Sequence, residues 1–152
     1  MEKLTFTTAE INDDLQDVIN SGGIIPLGVT GGSMMPFLKH LRDTVFIHKC
    51  SCADFKKGQI LLFKREDGRF ILHRVRKVFS NGKLLMNGDG QIWCEIIECS
   101  QVIASVCEVE RKGKRYKSES FIFKIWDFLW FPTRPLRPFL FKIFGKIKDI
   151  CR

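Results

Sequence analysis

The chain has 152 residues, with 25 Lys+Arg against 17 Asp+Glu and 45% apolar side chains. That length predicts one domain with at most an appendage, and the composition supports a packed core rather than wholesale disorder. The charge is divided unevenly: residues 1–110 carry 13 basic and 14 acidic side chains, residues 111–152 carry 12 basic and 3 acidic. The body is therefore near neutral and the tail strongly basic. The tail also holds 10 of the 18 aromatic residues. This asymmetry argues against a uniformly basic nucleic-acid binder, and no base-reading motif accompanies the charge, so no nucleic-acid partner is expected.

No apolar run approaches the roughly 20 residues that span a bilayer. The acidic start, MEKLTFTTAEINDDLQDVIN, lacks the apolar segment of a secretory signal. The six cysteines show no CxxC spacing and no paired histidines accompany them, so no metal and no cofactor are expected. Without a leader, free thiols in a reducing cytoplasm are expected.

In chain order, Thr7 and Glu10 have capping-box spacing, and Ile11, Leu15 and Val18/Ile19 recur at helical intervals. Gly22-Gly23 should end that helix. Strands are predicted over 24–29, 44–48, 59–64, 70–78, 83–87 and 101–109. Asp67-Gly68 and Asn81-Gly82 are hairpin turns, because these residues tolerate positive φ. Short strands joined by tight turns predict a small, mainly β domain over residues 1–110. RKGKRYKSES then reads as a charged linker into a tail over 111–152. Two helices are predicted there, 120–131 and 138–151, separated by Pro132, Pro135 and Pro138.

The densest chemical signal is Gly31-Gly32-Ser33-Met34-Met35-Pro36. A serine becomes a nucleophile on a tight turn beside backbone donors and within reach of a base. The two glycines permit the bend, and Pro36 suits the first turn of a short helix. Alone, the segment reads only as a Gly-Gly turn entering a helix. His73 lies within Phe70–Val78, where period two sets Ile71, His73 and Val75 on one face and Leu72, Arg74 and Arg76 on the other. A histidine so framed is either a half-buried packing residue or a neutral general base for Ser33. His40 and His48 lack this framing and read as surface residues. Asn87-Gly88-Asp89-Gly90 and, beyond it, Glu95 supply acids that can orient an imidazole; the alternative for Asp89 is a β-turn cap.

In this order, GGSMMPFL, RDTVFI, KKGQILLF, FILHRV and NGD resemble the signal-peptidase-like superfamily, which holds type I signal peptidases and self-cleaving SOS-type repressor proteases. The resemblance covers about residues 24–109. It implies a coiled β fold, amide hydrolysis through an acyl-enzyme, and Ser33 as nucleophile. It also implies His73 as base, as in the archaeal and endoplasmic-reticulum branch, whereas most bacterial members use lysine. Asp89 matches the family's Gly-Asp, and Glu95 matches the spacing of its third catalytic member. Main-chain N–H groups of Gly32 and Ser33 would hold the oxyanion, because Gly31 replaces the serine that many bacterial members carry. Lys77, four residues beyond His73, is too far to substitute for it. Met34 and Met35 would line the substrate site, where peptides of this superfamily add as a β-strand.

True signal peptidases carry an N-terminal anchor, and repressors a DNA-binding domain; 32 residues precede Ser33 here. The nearest likeness is therefore to small stand-alone bacterial peptidases of the superfamily, some of which act in modified-peptide pathways. A leader or signal-like peptide is the expected substrate. The basic aromatic tail, over residues 120–150, is expected to lie on a membrane surface at its cytoplasmic face; packing on the body or a dimer contact is the alternative. A non-catalytic docking module or a self-cleaving repressor-like regulator are the competing functions.

Overall fold

The computed structural model describes residue 11 and residues 13–150, the side chains of 144–150 excepted. The Thr7–Glu10 capping box and Cys151 lie outside the described residues. Helix α1 covers Asp13–Asn20. It ends where Gly22 takes φ 91°, with Gly22 N–H donating to Ile19 O and Gly23 N–H to Val18 O. This pair of bonds satisfies the last carbonyls and needs the left-handed residue that glycine supplies.

Eight strands follow: β1 Ile25–Gly28, β2 Thr44–His48, β3 Ile60–Lys64, β4 Phe70–Val78, β5 Lys83–Asn87, β6 Glu95–Glu98, β7 Val102–Arg111 and β8 Lys114–Lys117. They form one antiparallel sheet in the order β1-β2-β7-β3-β4-β5-β6, with β8 also on β7. The fold is mainly β. Both predicted hairpin turns are present, Gly68 and Gly82 having positive φ.

Strand β3 explains the layering. Ile60 and Leu62 enter a core cluster with Leu27, Met34, Val45 and Val106, whereas Leu61 and Phe63 enter a second with Val75, Leu84 and Met86. Alternate side chains point to opposite faces, so the unbroken apolar run Ile60–Phe63 marks a strand covered on both sides. Strand β7 bends between neighbours, pairing with β3 through Val102–Ser105 and with β2 through Ser105–Glu110.

Three expectations are corrected. The stretch read as a linker is a hairpin: β7 continues to Arg111, Lys112 and Gly113 turn the chain with positive φ, and β8 pairs back. The glycine beside a left-handed lysine was the overlooked turn signal, hidden among charges. The two strands missed outright, β6 and β8, have four residues each and little apolar alternation. Cys52 and Cys99 form a disulfide rather than remaining free, while Cys50, Cys94 and Cys107 are free. Their Cα atoms are 5.9 Å apart because two short 3-10 turns present them to each other.

The tail forms helix α2, Phe121–Trp130, a 3-10 segment, Phe131–Leu136, and helix α3, Arg137–Ile150. One face of α2 packs on the body: Phe123 is buried in the first core and Trp126 lies against it. The other stays in solvent, with Phe121 74%, Phe128 78%, Leu129 62% and Phe139 of α3 64% exposed. Packing and exposure thus divide one amphipathic tail. No helix among the described residues is long and apolar enough to cross a membrane.

Candidate active site

Ser33 lies in the connection from β1 to β2. Gly31, not Gly32, carries the left-handed conformation, with φ 77°. Its N–H donates to His40 Nδ1 at 2.9 Å, so the exposed His40 pins the turn from outside. Segment 33–37 is a run of turns rather than the expected helix: Met35 N–H bonds to Gly32 O and Leu38 N–H to Met34 O, and the Met35–Pro36 peptide is cis. Among the described residues, the N–H groups of Gly32 and Ser33 donate to no other protein group. They are therefore available as donors to a bound carbonyl oxygen.

His73 sits in β4, 1% exposed, with Phe63 edge-on to its ring at 5.9 Å between centroids. Its Nδ1 is 3.0 Å from Glu95 Oε1, although the N–H is not well aimed along that line. Glu95 opens β6, which pairs with β5, the neighbour of β4. Arg65, at the end of the β3–β4 hairpin, grips the same carboxylate with Nη2 at 2.6 Å and Nε at 2.8 Å. Burial pushes the Glu95 carboxyl up, but His73 and Arg65 more than reverse this and hold it at about 2, against 4.5 ordinarily. It is an anion at neutral pH.

The opposite side of the imidazole meets the Asn87–Gln91 loop. Arg74 pairs with Asn87 across β4 and β5, so His73 falls opposite Gly88. A Cβ on Gly88 would lie 2.5 Å from Ser33 O and 3.0 Å from His73 Nε2. Only glycine leaves room there. Gly90 N–H donates to Ser33 O at 2.8 Å. The Ser33 main chain and His73 Nε2 are therefore neighbours across a loop that touches both. Among the described residues, no hydrogen bond joins the Ser33 hydroxyl to His73.

Asp89 is not beside the imidazole. It is fully buried and binds Arg74 Nη2 at 2.7 Å and Arg76 Nη2 at 3.0 Å. Arg76 also pairs with Asp127 of α2. Of the two acids proposed, Glu95 is the one beside His73, and Asp89 is the centre of a buried ion network. Period two misses this network because alternation identifies a face, not what covers it; the α2 carboxylate and Phe37, 4.7 Å from the Arg74 guanidinium, cover it.

A groove of about 240 Å³ runs along residues 27–34 and Phe70–Leu72, with Ser33 on its wall. Met34 lines it but is 2% exposed and belongs to the core, so it is floor rather than an open contact. Met35 is half-buried and its carbonyl faces Gly90. Among the described residues strand β1, beside the groove, is an edge strand. Lys77 is exposed and lies over Phe79. Among the described residues, no cluster of three or more His, Cys, Asp and Glu is placed to hold a metal ion. In comparison with known proteins, no family model matches the chain and no curated protein matches it significantly.

Proposed function

We propose that this protein is a serine peptidase that hydrolyses an amide in an extended peptide, of the leader or signal-like class. One juxtaposition carries the proposal: a buried imidazole has a carboxylate at Nδ1 and, at Nε2, the loop that also contacts the Ser33 main chain. The Ser33 hydroxyl attacks the carbonyl while His73 Nε2 takes its proton. Glu95 orients the ring and stabilises the imidazolium. Gly32 and Ser33 N–H groups hold the oxyanion, and His73 returns the proton to the leaving amine. Water then releases the acyl group by the same base. The Ser33–His73 hydrogen bond forms on substrate binding, since catalytic hydrogen bonds commonly tighten only in the complex. The substrate backbone adds to the edge of β1 that pairs with no strand among the described residues, which brings its side chains to the groove. The test is mass spectrometry of candidate precursor peptides incubated with wild type and Ser33→Ala; a defined fragment from wild type alone is expected, and equal product from both sinks the assignment.

The exposed outer face of the tail supports a second element of the proposal, docking on an anionic membrane surface. Phe121, Phe128, Leu129 and Phe139 would enter the interface, while the basic excess of residues 111–152 meets lipid phosphate.

A further inference from the structure

The tail grips the candidate catalytic site from two directions. Arg137, the first residue of α3, is 0% exposed, yet no carboxylate pairs with it among the described residues. Its Nη1 donates to Asn87 Oδ1 at 3.0 Å, to Gly88 O at 3.2 Å and to Gln91 O. Burial lowers its pKa to about 10 despite the attraction of Asp89. A buried guanidinium without a counter-ion is costly, and charge-assisted bonds to several carbonyls offset that cost. One residue of α2, Trp130, adds a bond from Nε1 to Asp89 O at 2.6 Å. Two tail side chains thus bind acceptors on residues 87, 88, 89 and 91.

The second grip is on the nucleophile turn. Phe37 packs edge-on to Phe123 at 4.8 Å and against Trp126 at 5.4 Å, and Trp126 stacks on Trp130 at 5.2 Å. One face of α2 therefore touches the chain four residues after Ser33 and also holds the loop that braces Ser33 O. That loop contacts both members of the pair, through Gly90 N–H to Ser33 O and through Gly88 against His73 Nε2. A shift of the loop moves Ser33 relative to the imidazole.

We propose that the C-terminal helices are a positioning element of the catalytic site, with Trp130 and Arg137 as its positioning residues. The inference rests on Ser33 and His73 being the catalytic pair. It places control of the site in the segment that also presents an apolar face to its surroundings.

The full chain carrying Trp130→Phe keeps an aromatic ring beside Trp126 and loses the Nε1 donor with part of the indole; Arg137→Met keeps an unbranched side chain and loses the Nη1 donor to Asn87, Gly88 and Gln91. Two measurements are made on each. The first is the imidazole ¹⁵N spectrum of His73 across a pH series, together with hydrogen exchange of the Gly90 amide. The second is the rate at which a fluorophosphonate probe modifies Ser33. For Trp130→Phe we expect faster Gly90 exchange, displaced His73 resonances and about a tenfold slower modification, within the hundredfold that a 1 Å misplacement costs. Thermal unfolding of this variant stays close to wild type. Folded variants whose His73 resonances, Gly90 exchange and probe rate all match wild type would overturn the proposal. If the spectra shift but wild-type Ser33 is inert to the probe, the linkage stands and the peptidase assignment fails.

Discussion

At the residue scale, Glu95 and Asp89 are both acids near the Gly-Asp turn, and their surroundings assign them different work. Asp89 neutralises two guanidinium groups in a fully buried network. Asp89→Ala leaves Arg74 and Arg76 without it, and losing one partner of a buried ion pair costs about 3–5 kcal/mol. Chemical denaturation should show that loss. Glu95 is partly open, and its carboxylate is shared between His73 and Arg65. Glu95→Gln should slow peptide cleavage by about 10²–10⁴-fold, the range for losing an oriented base, while changing neutral stability far less than Asp89→Ala. Its folded pKa, about 2, lies below the ordinary 4.5. The carboxylate therefore stabilises the fold above pH about 4.5, and that contribution disappears as pH falls towards about 2. Denaturation across this window should show a flatter acid limb for Glu95→Gln than for wild type; equal slopes would remove the inferred ion pairing.

Among the elements, the turns and regular strands were legible in the residues, while the shortest strands were not. Gly68 and Gly82 accept positive φ at little steric cost, and the hairpins turn there for that local reason. Strands β2, β4 and β5 match their predicted bounds because each has an apolar pattern long enough to be recognised. Strand β6 brings Glu95 to His73 by pairing with β5, a tertiary fact that four residues do not announce. The Cys52–Cys99 bridge is likewise non-local, its cysteines lying 47 positions apart along the chain. Closing a loop of that size stabilises a fold by about 2–4 kcal/mol. Thiol titration of the denatured chain should reveal two further thiols only after reduction, and reduction should lower the unfolding midpoint. Disulfides persist in oxidising compartments, so a chain isolated with every thiol free would favour the cytoplasmic location first expected.

On the scale of the whole molecule, the basic tail is both a packed layer and an exposed surface. Its inner face binds the Asn87–Gln91 loop and Phe37; its outer face presents Phe121, Phe128 and Leu129 to solvent. The double variant Phe121→Glu/Phe128→Glu changes only the outer face. It should retain wild-type thermal stability and bind anionic vesicles at least about tenfold more weakly in flotation, since each buried aromatic contributes about 1.5–3 kcal/mol. A wild-type chain that ignores such vesicles removes the docking proposal and leaves the inner contacts untouched.

Sequence alone determined the mainly β class, the hairpins, the tail helices and the candidates Ser33 and His73, because period, turn chemistry and residue type act locally. It left Asp89 and Glu95 unresolved and treated the tail as an appendage. Only the tertiary structure decided those points. Which acid meets His73 depends on the pairing of β5 with β6, and the role of Arg137 depends on carbonyls 46 to 50 residues earlier in the chain. Long-range packing chooses among partners that local chemistry makes equally eligible, and here it joins the basic tail to the loop behind the serine.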